Sequence, residues 1–242
     1  MDDETSFNPA VRAQMLATEH WSLLATRSQT WSEVMGRITA QFTFASAVLV
    51  VLALGVQQMG YDSDFRWLAA GLGLAVLLTG TLTAIRVGNA SQEDYLLVLG
   101  MNRLRRAYVD LDPGIADYLV TGSSDDAAGM TRSYTMGPER DVGQLLASAW
   151  VFILSVNTLV AGGLVGLLVG PWGTSEAIGS GILAALAYVI TCALVASRQF
   201  RYNMDPGLTR FPAVPDEPDA PDEPYERYEP YEAPGERYES GP

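Results

Sequence analysis

Side chains suited to acid–base, nucleophilic or metal chemistry are sparse in this sequence. The 242 residues include one histidine, His20, and one cysteine, Cys192. A single histidine cannot build a multi-histidine metal site, and a single cysteine cannot close an intramolecular disulfide. There is no phosphate-binding glycine loop, no nucleophile elbow and no paired-carboxylate pattern. The expectation is a protein that is not an enzyme and uses neither a cofactor nor a metal.

The remaining candidates are polar residues inside apolar runs. Asn157 lies in the middle of Leu145–Val169, and Gln41 lies near the start of Ile38–Met59. Thr79, Thr81, Thr83 and Thr191 sit in two further runs. A polar group in hydrocarbon needs a partner, either on a neighbouring helix or in a lumen. No Asp, Glu, Lys, Arg or His falls inside any of these runs. Proton-coupled transport and voltage sensing ordinarily need one, so both are disfavoured.

Four segments must position these residues. The run 145–169 has 25 uncharged residues. As a helix it rises roughly 37 Å, more than the ~30 Å hydrocarbon core of a bilayer. The same test gives spans at 38–59, 67–85 and 177–197. The predicted fold is all-α: a polytopic membrane protein whose four transmembrane helices form two hairpins, 38–85 and 141–198.

A helical arm over 9–37 leads into the first span. Asn8-Pro9 is a helix start, with Asn as cap and Pro at the first helical position. Ala17, Trp21, Leu24, Ser28, Trp31, Met35, Ile38 and Phe42 alternate at spacings of 4 and 3, a heptad seam. Residues 86–111 are also predicted helical, with Leu97, Met101, Leu104, Tyr108 and Leu111 in the same rhythm. Asp112-Pro113 stops that helix. The two extensions have matched lengths of ~42 and ~37 Å and run antiparallel. They predict a two-helix stalk continuous with the first two spans; the alternative is that both lie flat on the membrane. Taking Arg37 and Arg86 at one depth, Arg27 comes near Glu93 or Asp94, and Glu19 near Arg103 or Arg105. The segment 86–140 ends in a loop, TGSSDDAAGMTRSYTMGP.

Small residues four apart mark close helix contacts. Gly162, Gly166 and Gly170 form one row, Gly80, Ala84 and Gly88 another, and Ala177, Gly181 and Ala185 a third. Each serves either packing within one chain or an oligomer interface, and Trp21 and Trp31 are candidates for the same roles. Arg103, Arg105 and Arg106 form a basic cluster beside Tyr108, Asp110 and Asp112. A salt-bridged helix face is the expectation there, and no nucleic-acid partner.

Net charge is −13, and the last 27 residues hold ten acidic side chains against two arginines. Residues 1–8 and 199–242 are expected to be disordered ends. The tail carries Pro215, Pro218, Pro221 and Pro224, then Tyr225, Tyr228 and Tyr231, all at a spacing of three. That is the polyproline II repeat, and an acidic, self-repelling spacer is expected. All fifteen basic residues are arginine, a composition that suits a GC-rich bacterial genome. The loop 57–66 has one arginine, Arg66, and the loop 170–176 has none. The positive-inside rule therefore places both termini in the cytoplasm of a bacterium, with the chain in its plasma (inner) membrane.

The segments Trp31-Ser-Glu33-Val-Met-Gly-Arg37, Thr81-Leu-Thr83-Ala-Ile-Arg86, Glu93-Asp94 and Gly100-Met-Asn102-Arg103-Leu-Arg105 carry a resemblance. Over about 14–200 the chain resembles a set of small actinobacterial four-span integral membrane proteins. It is similar in outline to SLATT-type membrane modules, in which a long helical arm precedes a transmembrane hairpin. The second hairpin and the acidic tail depart from that pattern. The resemblance implies a pore-forming effector role as one possibility. The expected partners are the lipid bilayer, further copies of the chain in a homo-oligomer, and a cytoplasmic protein bound through stalk or tail. The expected function is a non-enzymatic membrane scaffold or effector module, with an ion channel or pore as the alternative.

Overall fold

The computed structural model describes residues 8–135, 148–203 and 208–212. Among these, helices alone form regular structure. Helix α1 is Pro9–Met59 and α2 is Ser63–Leu111. A 3₁₀ turn, Pro113–Tyr118, leads to α3, Ala127–Tyr134. Then come α4, Ala149–Val169, a 3₁₀ turn at Gly170–Trp172, and α5, Thr174–Asn203. Four of these helices (α1, α2, α4 and α5) are long and apolar enough to cross a membrane.

The ends are set by local chemistry. The Asn8 side chain accepts a hydrogen bond from Ala10 N at 2.9 Å, and Pro9 occupies the first turn. Gly60 ends α1 with φ of +69°, a left-handed conformation that glycine adopts without strain. Asp62 caps α2 by accepting from Phe65 N. Gly173, with φ of +149°, makes the second hairpin turn.

The long helices lie side by side in the order α1, α2, α4, α5, each packed antiparallel to the next. The aromatic ring of Phe65 covers Gly55 near the first turn. Farther along, Leu23 lies over Gly100, and His20 stacks on Tyr108 with ring centroids 6.0 Å apart. Between α2 and α4, Leu164 faces Gly73, Asn157 faces Gly80, and Ala84 shares a core with Ile153. Between α4 and α5, Gly162 meets Gly181, and Gly166 meets the Ala177 carbonyl. A first core joins Val34, Ala84, Val87, Ala90 and Ile153. A second joins Val98, Leu99, Met101 and Met130, with Leu23 and Leu208 against it.

Three sequence expectations are corrected. The heptad period of α1 holds, but its phase is wrong by one residue, about 100° around the helix. The face packed on α2 runs through His20, Leu23, Arg27, Thr30, Val34 and Gln41, while Trp21, Leu24 and Met35 are exposed. His20, Arg27 and Gln41 on that face find partners on α2, so its lower hydrophobicity does not prevent burial. Second, part of the predicted loop after Thr121 is helix: Asp126 caps α3 by accepting from Gly129 N at 2.9 Å. Third, α5 continues past the expected end of the span to Asn203, and Leu208–Pro212 are held against the body of the molecule. The rest of the expected tail, residues 1–7 of the expected disordered start, and residues 141–147 of the expected second hairpin, with the start of the third span at 145, lie outside the described residues.

Candidate functional site

Two polar centres and one apolar stripe stand out. The first centre is Asp94 on α2. Its Oδ1 accepts from Arg27 Nε at 2.6 Å and Trp31 Nε1 at 2.8 Å, and its Oδ2 accepts from Tyr134 Oη at 2.8 Å. One carboxylate thus ties α1, α2 and α3 together. Burial alone would raise this carboxyl, but the hydrogen bonds from Arg27, Trp31 and Tyr134 outweigh it and hold the group below the usual carboxylate range. Beside it, Arg86 bridges Glu33 and Glu93, each at 2.9 Å. Hydrogen bonds from Arg86 and Arg37 lower the Glu33 carboxyl to about 2.

The expected basic cluster does not form one surface. Arg103 pairs with Asp125 at 2.8 Å, Arg106 with Asp110 at 3.0 Å, and Arg105 donates to Asn102 Oδ1 at 2.7 Å. Burial and the nearby Arg27 lower the Arg105 guanidinium. Asn102 is fully buried and donates to the Ser124 and Gly129 carbonyls. Glu19 makes no ion pair with the described residues, because Arg103 and Arg105 have turned to other partners.

Asp125 is the other anchor, with its side chain 0% exposed. Besides Arg103, it accepts from Arg210 N at 2.9 Å and Phe211 N at 2.7 Å. Arg103 also donates to the Leu208 carbonyl. Burial pushes the Asp125 carboxyl up, and these donors bring it below its ordinary value. The sequence showed the Arg103 cluster but no signal that Asp125 would capture a segment 85 residues away.

The second polar centre joins α2, α4 and α5 within their apolar lengths. Asn157 is 1% exposed. Its Nδ2 donates to Tyr188 Oη at 3.2 Å, and Tyr188 Oη lies 2.8 Å from Thr81 Oγ1. Asn157 Oδ1 is buried without a partner. Gln41 Nε2 donates to the Val76 carbonyl at 3.0 Å, tying α1 to α2. Both residues singled out in the sequence thus face neighbouring helices of the same chain.

The small-residue rows divide. Gly162, Gly166 and Gly181 form the α4–α5 contact, while Gly170 has open space around it in the turn. Trp31 is half-buried and engaged by Asp94, whereas Trp21 is 72% exposed. Trp21, Leu24 and Met35 form an exposed stripe at heptad spacing on α1, with half-buried Trp31 beside it.

Among the described residues, no group of three His, Cys, Asp or Glu is placed to hold a metal ion. The chain matches no protein-family model, no curated protein and no solved structure.

Proposed function

We propose that this chain is a non-enzymatic module of the bacterial plasma membrane that assembles with further copies of itself and offers a cytoplasmic helical stalk to protein partners. In this reading α1, α2, α4 and α5 cross the bilayer as two hairpins. The far halves of α1 and α2 form the stalk, braced by Asp94 and α3. The arginine asymmetry supports cytoplasmic termini: the two hairpin turns together carry only Arg66.

The exposed stripe on α1 carries the proposal. Trp21 stands 17 residues before the first apolar segment, about 26 Å along the helix. Lipid does not reach that far, so its exposed indole calls for a protein surface. Arg27, the charged residue nearest the stripe around the helix, is held by Asp94, so its charge is neutralised beside the stripe. The resemblance to SLATT-type modules, with their long helical arm, points the same way. A pore is the weaker reading, because Gln41 and Asn157 turn onto helices of their own chain rather than toward a lumen.

The test is the mass of the full-length protein in nanodiscs, by light scattering or native mass spectrometry. The expected result is a defined oligomer that dissociates at least tenfold more readily on Trp21→Glu. A wild-type monomer at every concentration refutes self-assembly. Ion flux through proteoliposomes, abolished by changing Asn157, would replace the module reading with the pore.

A further inference from the structure

We propose that the cleft between the two hairpins at their turn end binds the phosphate of one bilayer phospholipid through Arg66. The cleft has a volume of about 320 Å³ and is lined by Arg66, Trp67, Leu168, Pro171 and Trp172. Arg66 and Trp67 belong to α2, and the other three to α4 and the turn after it. A ligand seated here touches both hairpins.

Three observations identify the ligand. The first is charge: none of the ion pairs among the described residues involves Arg66. The nearby Asp62 carboxylate instead caps α2 through Phe65 N. A guanidinium without a carboxylate presents a planar fork that suits two phosphate oxygens.

The second is depth. Arg66 and Arg86 bracket the uncharged stretch of α2, twenty residues apart. That is about 30 Å of helix, the thickness of the hydrocarbon core. Arg66 therefore sits at the level of one headgroup layer when Arg86 sits at the other.

The third is the wall. Trp67 and Trp172 are 73% and 76% exposed, one on each hairpin, and flank the cation. Indoles favour the membrane–water boundary, with the ring in apolar surroundings and the N–H toward polar groups. Leu168 and Pro171 provide an apolar side for glycerol and the first acyl carbons. An aromatic belt alone needs neither a cation nor a concavity between two hairpins, and both are present here. The bound lipid would join the hairpins at the end opposite the Asp94 centre.

Native mass spectrometry of the full-length protein, with lipid added to the detergent, tests this. Phosphatidylglycerol is compared with a diacylglycerol of the same chains and with inorganic phosphate. The wild type is expected to retain one phosphatidylglycerol at least tenfold better than the diacylglycerol. Arg66→Gln should lower that retention about tenfold, and Arg66→Lys should restore part of it. Arg37→Gln, at the opposite boundary, should leave it unchanged. Equal retention of the two lipids by the wild type overturns the proposal without recourse to any variant. So does equal phosphatidylglycerol retention by the wild type and a correctly folded Arg66→Gln protein. Displacement of the lipid by millimolar inorganic phosphate would make this a free-anion site and overturn the lipid assignment.

Discussion

Asn157 on α4 occupies the space that a side chain at position 80 of α2 would need. A β-carbon on Gly80 would fall 2.8 Å from Asn157 Cγ and closer still to its amide oxygen. The glycine and the asparagine are a matched pair, and together they set how closely the two hairpins approach. The same contact leaves Asn157 Oδ1 against Gly80 without a donor among the described residues, so the amide is held by its Nδ2 bond to Tyr188 and by packing.

Gly80→Ala should therefore destabilise the detergent-solubilised protein by about 2 kcal/mol, the usual scale of core overpacking. Asn157→Ala in the same chain should recover most of that loss, because it removes the atoms that clash. Thermal unfolding of the two single variants and the double variant measures the coupling. Strict additivity would show that the two residues do not share this space.

Asp94→Ala should detach α3. The change leaves Arg27, Trp31 and Tyr134 without their shared acceptor. Breaking a buried pair costs about 3–5 kcal/mol, and the partial exposure of Arg27 (37%) moves the expectation to about 2–3 kcal/mol. Hydrogen exchange should rise most in Ala127–Tyr134, and least near the hairpin turns. Unchanged protection of α3 would contradict its attachment through Asp94.

Acid should loosen this half of the molecule. The folded-state values of Asp94, Asp125 and Glu33 all lie below their ordinary ones. A carboxylate depressed in the fold contributes stability that is complete above its unfolded value and is lost as pH falls through the folded value. For Glu33 the window runs from 4.5 down to about 2. Melting temperature should begin to fall as pH drops below the ordinary imidazole value of 6.5, because burial and Arg105 lower His20, and should fall further below pH 5 as the carboxylates protonate. Salt should weaken the exposed Glu33–Arg86 part more than the buried Asp94 part. A loss of stability on raising pH from 5 to 7 would reverse the predicted sign.

Asp125→Ala should free the segment after α5. The carboxylate receives Arg103 and two backbone N–H groups, so its removal leaves three donors unpaired. An expected loss of about 2 kcal/mol corresponds to roughly thirtyfold more of the open form. Trypsin cleavage after Arg210 reads this directly, since cutting tracks the open population when opening is fast. An unchanged cleavage rate would mean that Asp125 does not hold the segment.

Much of the architecture was legible in the sequence. Four apolar runs follow from composition, because a chain segment of that length and polarity has few stable environments. Continuity of α1 and α2 through their apolar runs was legible as well, since both sequences lack helix-breaking prolines. An antiparallel register was enough to bring Arg27 near Glu93 or Asp94, and the structure selects Asp94.

What the chain alone did not determine is which face of each helix is used and what long-range partner each polar group takes. The heptad stripe through Trp21 and Leu24 is the more apolar face of α1, yet the face with Arg27, Thr30 and Gln41 is buried. Asp94, Tyr134 and the Val76 carbonyl make that possible, and they lie on other elements. Asp125 and Arg210 illustrate the same limit. Nothing local links residues 85 apart. Helix formation depends on neighbours within a turn and is written in sequence. Burial of a polar group depends on partners supplied by another segment, and only the tertiary structure brings those together.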